Sequence, residues 1–211
     1  MKRNANLRKP PYSDRQMRWV EFSSRARMHV WNSGGPIHAP HKTVLQLLIE
    51  PWAGDYESWT VYRHETETRK DGKLVFKQWD YKAQKKRFRT LNLKTWRDVW
   101  NVETEVTERQ FPLPARWVKE LEDMIGRLSV PPITGSVKPL SRDTEYRLSF
   151  WRSRQRSEFR WHGSAPVNWT PLSWLFASLL RVFRQHGRGK ALPSLKSKQQ
   201  RRRRKSNGVA S

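Results

Sequence analysis

The most concentrated group of functional side chains in this sequence is positively charged. One unbroken run, which we call the Arg run, consists of Arg201, Arg202, Arg203, Arg204 and Lys205. Such a run displaces counterions from a phosphate backbone, which gives an affinity that depends on salt and not on base sequence. We therefore predict that these five residues bind nucleic acid or another polyanion. The alternative interpretation is a solvated tail that only keeps the protein soluble.

Two further groups of cations lie in or beside segments that we predict to be hairpins. Residues 61–90 carry ten basic and four acidic side chains, and the second group alternates along a strand, so that its members share one face. Aromatic rings exposed beside such cations would stack on bases, although large rings usually belong to the core. The predicted contacts in these two groups are Lys85, Lys86 and Arg87, and Arg152, Arg154 and Arg156.

Catalytic and metal-binding arrangements are poorly represented. His38 and His41 are the one close histidine pair, whereas a zinc site needs three or four ligands. Carboxylates at alternate positions, such as Glu65 and Glu67, could exchange protons, but in so basic a chain we expect them to pair with Arg and Lys. The glycine-rich phosphate loops and the serine nucleophile motif are missing from the sequence. We therefore predict a protein that is not an enzyme and uses no metal or cofactor.

The composition indicates where such a protein would work. The net charge is +24, the chain has no cysteine, and residues 1–30 and 181–211 together hold 17 of the excess positive charges. We find no basic and apolar leader typical of secretion and no apolar run of about 18 residues, so we expect no membrane partner. The chain is expected to be intracellular: cytoplasmic in a bacterium, with the nucleus as an option in a eukaryote because the Arg run resembles a nuclear localisation signal.

Alternating apolar residues predict a largely antiparallel set of strands. The Asp71-Gly72 pair is a strong hairpin turn signal, and a second hairpin surrounds the cationic tip at residues 152–156. The predicted strands are Arg27–Asn32, Lys42–Glu50, Glu57–Glu65, Leu74–Asp80, Asn101–Phe111, Thr144–Trp151 and Glu158–Trp161.

Two apolar stripes at helical spacing predict helices, one over Ala115–Leu128 and one from Thr170 to the glycines at 187 and 189. Helices that follow hairpins favour an α+β fold, with a mainly antiparallel sheet covered on one face by the two helices. The predicted core places Leu121, Ile125, Leu175 and Leu179 against Val61, Leu148 and Phe150.

The predicted organisation has three parts: a basic N-terminal arm (1–24), an α+β domain (25–187) and a disordered Arg/Lys-rich tail (188–211). Together these features predict a small basic binding protein that contacts nucleic acid or another polyanion through its tail and hairpins. The alternative is a protein-interaction or inhibitor module, because the chain has twelve tryptophans and interfaces favour Trp and Arg.

Overall fold

The computed structural model describes residues 13–31, 41–64, 71–129, 143–152 and 155–195. These residues form a six-stranded antiparallel sheet and five α-helices, which confirms the predicted α+β class. The helices are α1 (Asp14–Trp31), α2 (Tyr81–Thr90), α3 (Trp96–Asn101), α4 (Ala115–Gly126) and α5 (Thr170–His186). A short 3-10 turn at Val167–Trp169 leads into α5.

All neighbouring strands of the sheet pair antiparallel, in the order β4-β3-β2-β1-β5-β6. Both predicted hairpins are confirmed, since β2 pairs with β3 and β5 pairs with β6. The strand predicted from Asn101 begins only at Thr107. The strands are β1 (His41–Glu50), β2 (Tyr56–His64), β3 (Gly72–Trp79), β4 (Thr107–Leu113), β5 (Glu145–Arg152) and β6 (Gln155–His162).

One face of the sheet packs against α4 and α5. Successive side chains of a strand point to opposite faces, and on this face Trp59 and Val61 of β2 belong to the same buried cluster as Leu121 and Leu179. The predicted core is confirmed except in one detail, because Leu175 packs against this cluster while remaining partly exposed. We call α4 and α5 the α4–α5 layer.

The opposite face is also covered, by three helices that were not predicted from the sequence. Tyr56 and Trp79 on that face join Phe22 of α1, Phe88 of α2 and Val99 of α3 in a second buried cluster. The Ser58 hydroxyl donates to the Val30 carbonyl at 2.8 Å, which ties β2 to the end of α1. We call α1, α2, α3 and the linker 91–95 the α1–α3 layer.

The first element corrects two predictions. The segment from Arg27 onward was predicted as a strand, but residues 27–31 are the last turns of α1. The basic arm predicted over residues 1–24 does not extend to its predicted end, because residues 14–24 are helical and Phe22 is fully buried. Residues 1–12 lie outside the described part of the chain.

The start of the predicted tail is also corrected. Residues 190–195 form neither helix nor strand, yet Leu192 and Leu195 pack against the α4–α5 core cluster. Glu120 of α4 accepts hydrogen bonds from the Leu195 backbone N–H at 2.9 Å and from the Ser194 hydroxyl at 3.2 Å. The predicted disorder therefore does not begin at residue 188, and residues 196–211 lie outside the described part of the chain.

Within the described residues, none of the helices combines the length and the apolar character that crossing a bilayer requires.

Candidate nucleic-acid interface

The structure accounts for only part of the predicted set of contacts. Arg152 ends β5, but its side chain is outside the described part of the chain. The prediction can therefore be compared with described side chains only at Arg156 and on α2. Six predicted contacts lie wholly outside the described residues, and they are Arg154, Arg201, Arg202, Arg203, Arg204 and Lys205.

Arg156 belongs to a network of ion pairs on β5 and β6. Its guanidinium pairs with Glu158, and Arg160 pairs with Glu158 at 2.8 Å and with Glu145 at 3.2 Å. Arg147, which is 1% exposed, donates to Glu145 at 2.7 Å. Because each of these three arginines is close to a carboxylate, the described part of the hairpin presents less free positive charge than its sequence suggests.

The centre of this network is structural. The Trp31 ring lies over the Arg147 guanidinium at 4.1 Å, and this contact closes the network beneath the end of α1. Burial raises the pKa of Glu50 on the adjacent strand β1, although Arg27, at 2.6 Å, opposes the shift. The network thus joins α1 to β1 and β5 through the buried guanidinium of Arg147 and the ion pair of Arg27 with Glu50.

Helix α2 carries the predicted lysines on a well-defined helix. The Asp80 carboxylate caps it by accepting from the Ala83 N–H at 2.8 Å, and Gln84 and Phe88 face the protein. On the other side, Lys82, Lys86 and Arg89 are exposed. Their i, i+4, i+7 spacing places the three charges in one stripe along the helix.

The other two cations of α2 are partly engaged. Lys85 lies 5.1 Å from the centre of the Tyr81 ring and contacts its hydroxyl at 3.0 Å. Arg87 pairs with Glu105 at 2.7 Å. Of the three contacts predicted on this helix, only Lys86 has an exposed side chain. In the candidate interface, the exposed Lys82 and Arg89 take the places predicted for Lys85 and Arg87.

Three arginines of α1 add to this surface. Arg15 donates to the Arg89 carbonyl at 2.7 Å, Arg18 donates to the Leu93 carbonyl, and Arg25 donates to the Val99 carbonyl at 2.7 Å. A carbonyl orients a guanidinium but does not neutralise it. Helix α1 is thereby fixed along α2 and α3, with its positive charge retained.

Helix α3 places two aromatic rings beside these cations. Its N-terminus is a capping box, in which Thr95 and Asp98 exchange hydrogen bonds, and hydrogen bonds from the Thr95 backbone and hydroxyl lower the pKa of Asp98. Trp96 and Trp100 are one helical turn apart and are 48% and 55% exposed. The Arg25 guanidinium lies 5.4 Å from the centre of the Trp100 ring.

The two helical layers differ sharply in charge. The segments 14–31 and 81–101 hold eleven basic and three acidic residues, a net charge of +8. The helices of the α4–α5 layer, residues 115–126 and 170–186, hold four basic and three acidic residues, a net charge of +1. The positive charge of the described helices is therefore concentrated on one side of the sheet.

The sequence reasoning missed Arg15 and Arg18 because it assigned residues 1–24 to an arm, and it missed Arg25 because it predicted no helix there. A signal was present, since Trp19, Phe22, Ala26 and Val30 recur at helical spacing. The same reasoning named Lys85 and Arg87 but not the exposed stripe, because without a helix assignment the sides of α2 could not be distinguished. Within the described ranges, no group of three or more His, Asp or Glu side chains is arranged to hold a metal ion.

No family model, curated protein or solved structure matches this chain.

Proposed function

We propose that this protein binds nucleic acid through the α1–α3 layer. The observation that carries the proposal is the charge of this layer: eleven basic residues against three acidic ones, beside two exposed tryptophans. Two of the basic residues, Arg27 and Arg87, pair with Glu50 and Glu105. Phosphate contacts from Lys and Arg supply most sequence-independent affinity. The proposed contacts on α2 are Lys82, Lys86 and Arg89.

The Arg run, residues 201–205, adds further phosphate contacts in this proposal. Two cationic segments of one chain act together when both reach the same polymer, because the second contact becomes intramolecular. Among the predicted hairpin contacts, Arg156 has a smaller role in this proposal, since Glu158 lies within ion-pairing distance of its guanidinium.

Trp96 and Trp100 suit single-stranded more than duplex nucleic acid. A ring stacked on a base contributes about 1–3 kcal/mol, and the contact tolerates any base. Bases are available for stacking in a single strand, whereas in a duplex they are already stacked on one another. The proposed ligand is therefore single-stranded DNA or RNA bound without sequence preference, with duplex binding through phosphates alone.

A salt series tests the phosphate contacts. The affinity of the full chain for a fluorescent oligonucleotide is measured by anisotropy from about 50 to 300 mM salt, and log affinity is plotted against log salt. Replacing Lys82, Lys86 and Arg89 together by Gln should flatten the duplex slope by up to about 2.7. The control variant replaces Lys119, Arg181 and Arg188 by Gln, which removes the same charge from exposed positions outside the α1–α3 layer.

The control variant should change the slope by less than about one unit. Equal slopes for the two variants would mean that binding reflects net charge and not the α1–α3 layer. Failure of the full chain to bind any oligonucleotide at about 50 mM salt would eliminate the proposal, because accessible cations in this number bind phosphate polymers at low salt.

A second pair of variants tests stacking. Trp96→Ala combined with Trp100→Ala should weaken binding of a single strand at least tenfold and leave duplex binding within about threefold. Trp52→Ala is the control, because Trp52 is 66% exposed in the turn between β1 and β2 and belongs to neither helical layer. Equal losses for single and double strands would exclude base stacking by these rings.

A further inference from the structure

The last strand of the sheet, β6, has an outer edge that no described element pairs with. The Gly163 N–H donates to the Thr144 carbonyl at 2.9 Å, and this bond fixes which backbone groups of β6 face β5. Because the direction of these groups alternates along an antiparallel strand, Ser157, Phe159 and Trp161 bond to β5. The N–H and C=O groups of Arg156, Glu158, Arg160 and His162 therefore point outward from the sheet.

The other edge strand, β4, is protected. The His64 N–H donates to the Asp71 carbonyl at 3.0 Å, and the same alternation through β3 directs the backbone of Glu108, Gln110 and Pro112 outward. Proline has no N–H, so an incoming strand would lose a donor at Pro112. An exposed strand edge invites pairing with another chain, and in this sheet β6 is the more open edge.

The charge pattern of β6 is complementary to that of a second copy of β6 in the antiparallel direction. When two copies pair antiparallel about a two-fold axis through Phe159, Glu158 of each copy lies opposite Arg160 of the other, and the two Phe159 rings meet on the opposite face. The outward backbone groups of residues 158 and 160 then face each other and exchange both hydrogen bonds. We propose that the protein forms a homodimer through antiparallel β6–β6 pairing in this register.

Neighbouring two-fold registers are less favourable. An axis through Glu158 places two glutamates directly opposite each other, and an axis through Arg160 does the same with two arginines. Like charges at directly opposite positions destabilise a strand pair. The charge pattern of β6 therefore disfavours both of these registers. An axis through Ser157 also places Arg156 opposite Glu158, but it pairs only residues 155–159 of β6, whereas an axis through Phe159 pairs residues 156–162.

Exposed apolar residues near β6 are a second indication of an interaction site at this edge. The Trp169 ring packs on Phe159 at 5.3 Å, which places the start of α5 over β6. Close by, Val167 is 91% exposed, and Trp174, 73% exposed, lines a cavity of about 660 Å³ together with Trp161. Large apolar side chains left exposed beside an open strand edge mark an interaction site, and a second copy paired along β6 would bring its own α5 toward them.

The dimer has a consequence for the proposed function. Because Glu158 and its Arg160 partner share one face of the joined sheet, the two-fold axis is perpendicular to that sheet. The α1–α3 layers of both copies then lie on the same side. One strand of nucleic acid would meet two cationic surfaces, so binding of a long oligonucleotide would be bivalent.

Two measurements test the dimer. Sedimentation velocity on nuclease-treated full chain gives the mass without bridging nucleic acid, and dipolar EPR gives the register. Since the chain has no cysteine, Ser157→Cys carries a single spin label at an exposed position. An axis through Phe159 places the two residue-157 Cα atoms about 14 Å apart, whereas an axis through Ser157 places them about 5 Å apart.

Arg160→Pro and Arg160→Gln are the matched variants, because both remove the guanidinium and only proline removes the outward N–H. We expect a dimer for the unaltered chain, the longer label distance, and a dimer dissociation constant roughly tenfold to a hundredfold higher for the proline variant than for the glutamine variant. A monomer at about 100 μM, the shorter label distance or equal dissociation constants would each overturn the dimer. Where the proline variant fails to fold, the mass and label distance of the other chains decide. A monomer would remove the bivalency but not the binding of an oligonucleotide by one copy, which the oligonucleotide titrations test separately.

Discussion

Replacing Phe22 by Ala tests whether α1 is a docked helix or a mobile arm. Phe22 is fully buried and packs among the rings of Phe88 at 5.3 Å, Trp19 at 5.8 Å and Trp79 at 6.3 Å. Truncating a buried Phe to Ala costs about 3–5 kcal/mol, because the apolar contacts are lost and a cavity remains. For a chain of this size, each kcal/mol lowers Tm by about 2–4 °C. We therefore expect the Phe22→Ala variant to melt about 6–20 °C lower.

The assay is urea unfolding followed by tryptophan fluorescence, with thermal melting as a second probe. Val20→Ala is the control, since Val20 lies on the same helix and is 59% exposed. That control should change the free energy of unfolding by less than about 0.5 kcal/mol. A loss below about 1 kcal/mol for Phe22→Ala would refute the docking of α1 and, with it, the contribution of the α1 arginines to the cationic layer.

Three further predictions concern the other layer. Leu179→Ala, at a position 2% exposed, should cost about 2–5 kcal/mol in urea unfolding, whereas a loss near that of the exposed Ser178→Ala control would show that α5 is not docked. A chain ending at Gly189 should melt lower than one ending at Leu195, because the longer chain keeps the contacts of residues 190–195 with α4, and equal melting temperatures would contradict this. Desolvation opposes ionisation of Glu120, but hydrogen bonds from the Leu195 N–H and its neighbours outweigh it and lower the pKa of Glu120 below 4.5. Its stabilising effect is therefore present above pH 4.5 and lost as the pH falls through the folded-state pKa, so Glu120→Gln should cost less at pH 3 than at pH 6, and a constant cost would refute the assignment.

The sheet and the α4–α5 layer could be predicted from the sequence because their signals are local. The turn at Asp71-Gly72, the alternation in β2 and the apolar stripes of α4 and α5 each determine an element without knowledge of the rest. The α1–α3 layer was harder to predict from the sequence. Helix α1 has many charged residues and few aliphatic ones, so its apolar stripe of Trp19, Phe22, Ala26 and Val30 becomes clear only once Trp79 and Phe88 are seen to cover it.

The candidate interface could be predicted only in part, for a related reason. The abundance of cations is visible in the sequence, but whether a cation is free depends on contacts between distant residues. Arg160 is close to Glu145 fifteen positions earlier, and Arg15 contacts a carbonyl on α2. Carboxylates thus neutralise arginines in the described part of the hairpin, whereas the α1 arginines that contact carbonyls keep their positive charge.

Lysine reactivity in the presence of nucleic acid tests the central proposal most directly. The free full chain and its complex with a single-stranded oligonucleotide are acetylated briefly, and mass spectrometry gives the modification at each lysine. Lys82, Lys86 and Lys94 should be protected at least several-fold in the complex, whereas Lys119 on α4 should react equally in both states. Protection of Lys119 with unchanged reactivity at Lys82 and Lys86 would contradict binding through the α1–α3 layer.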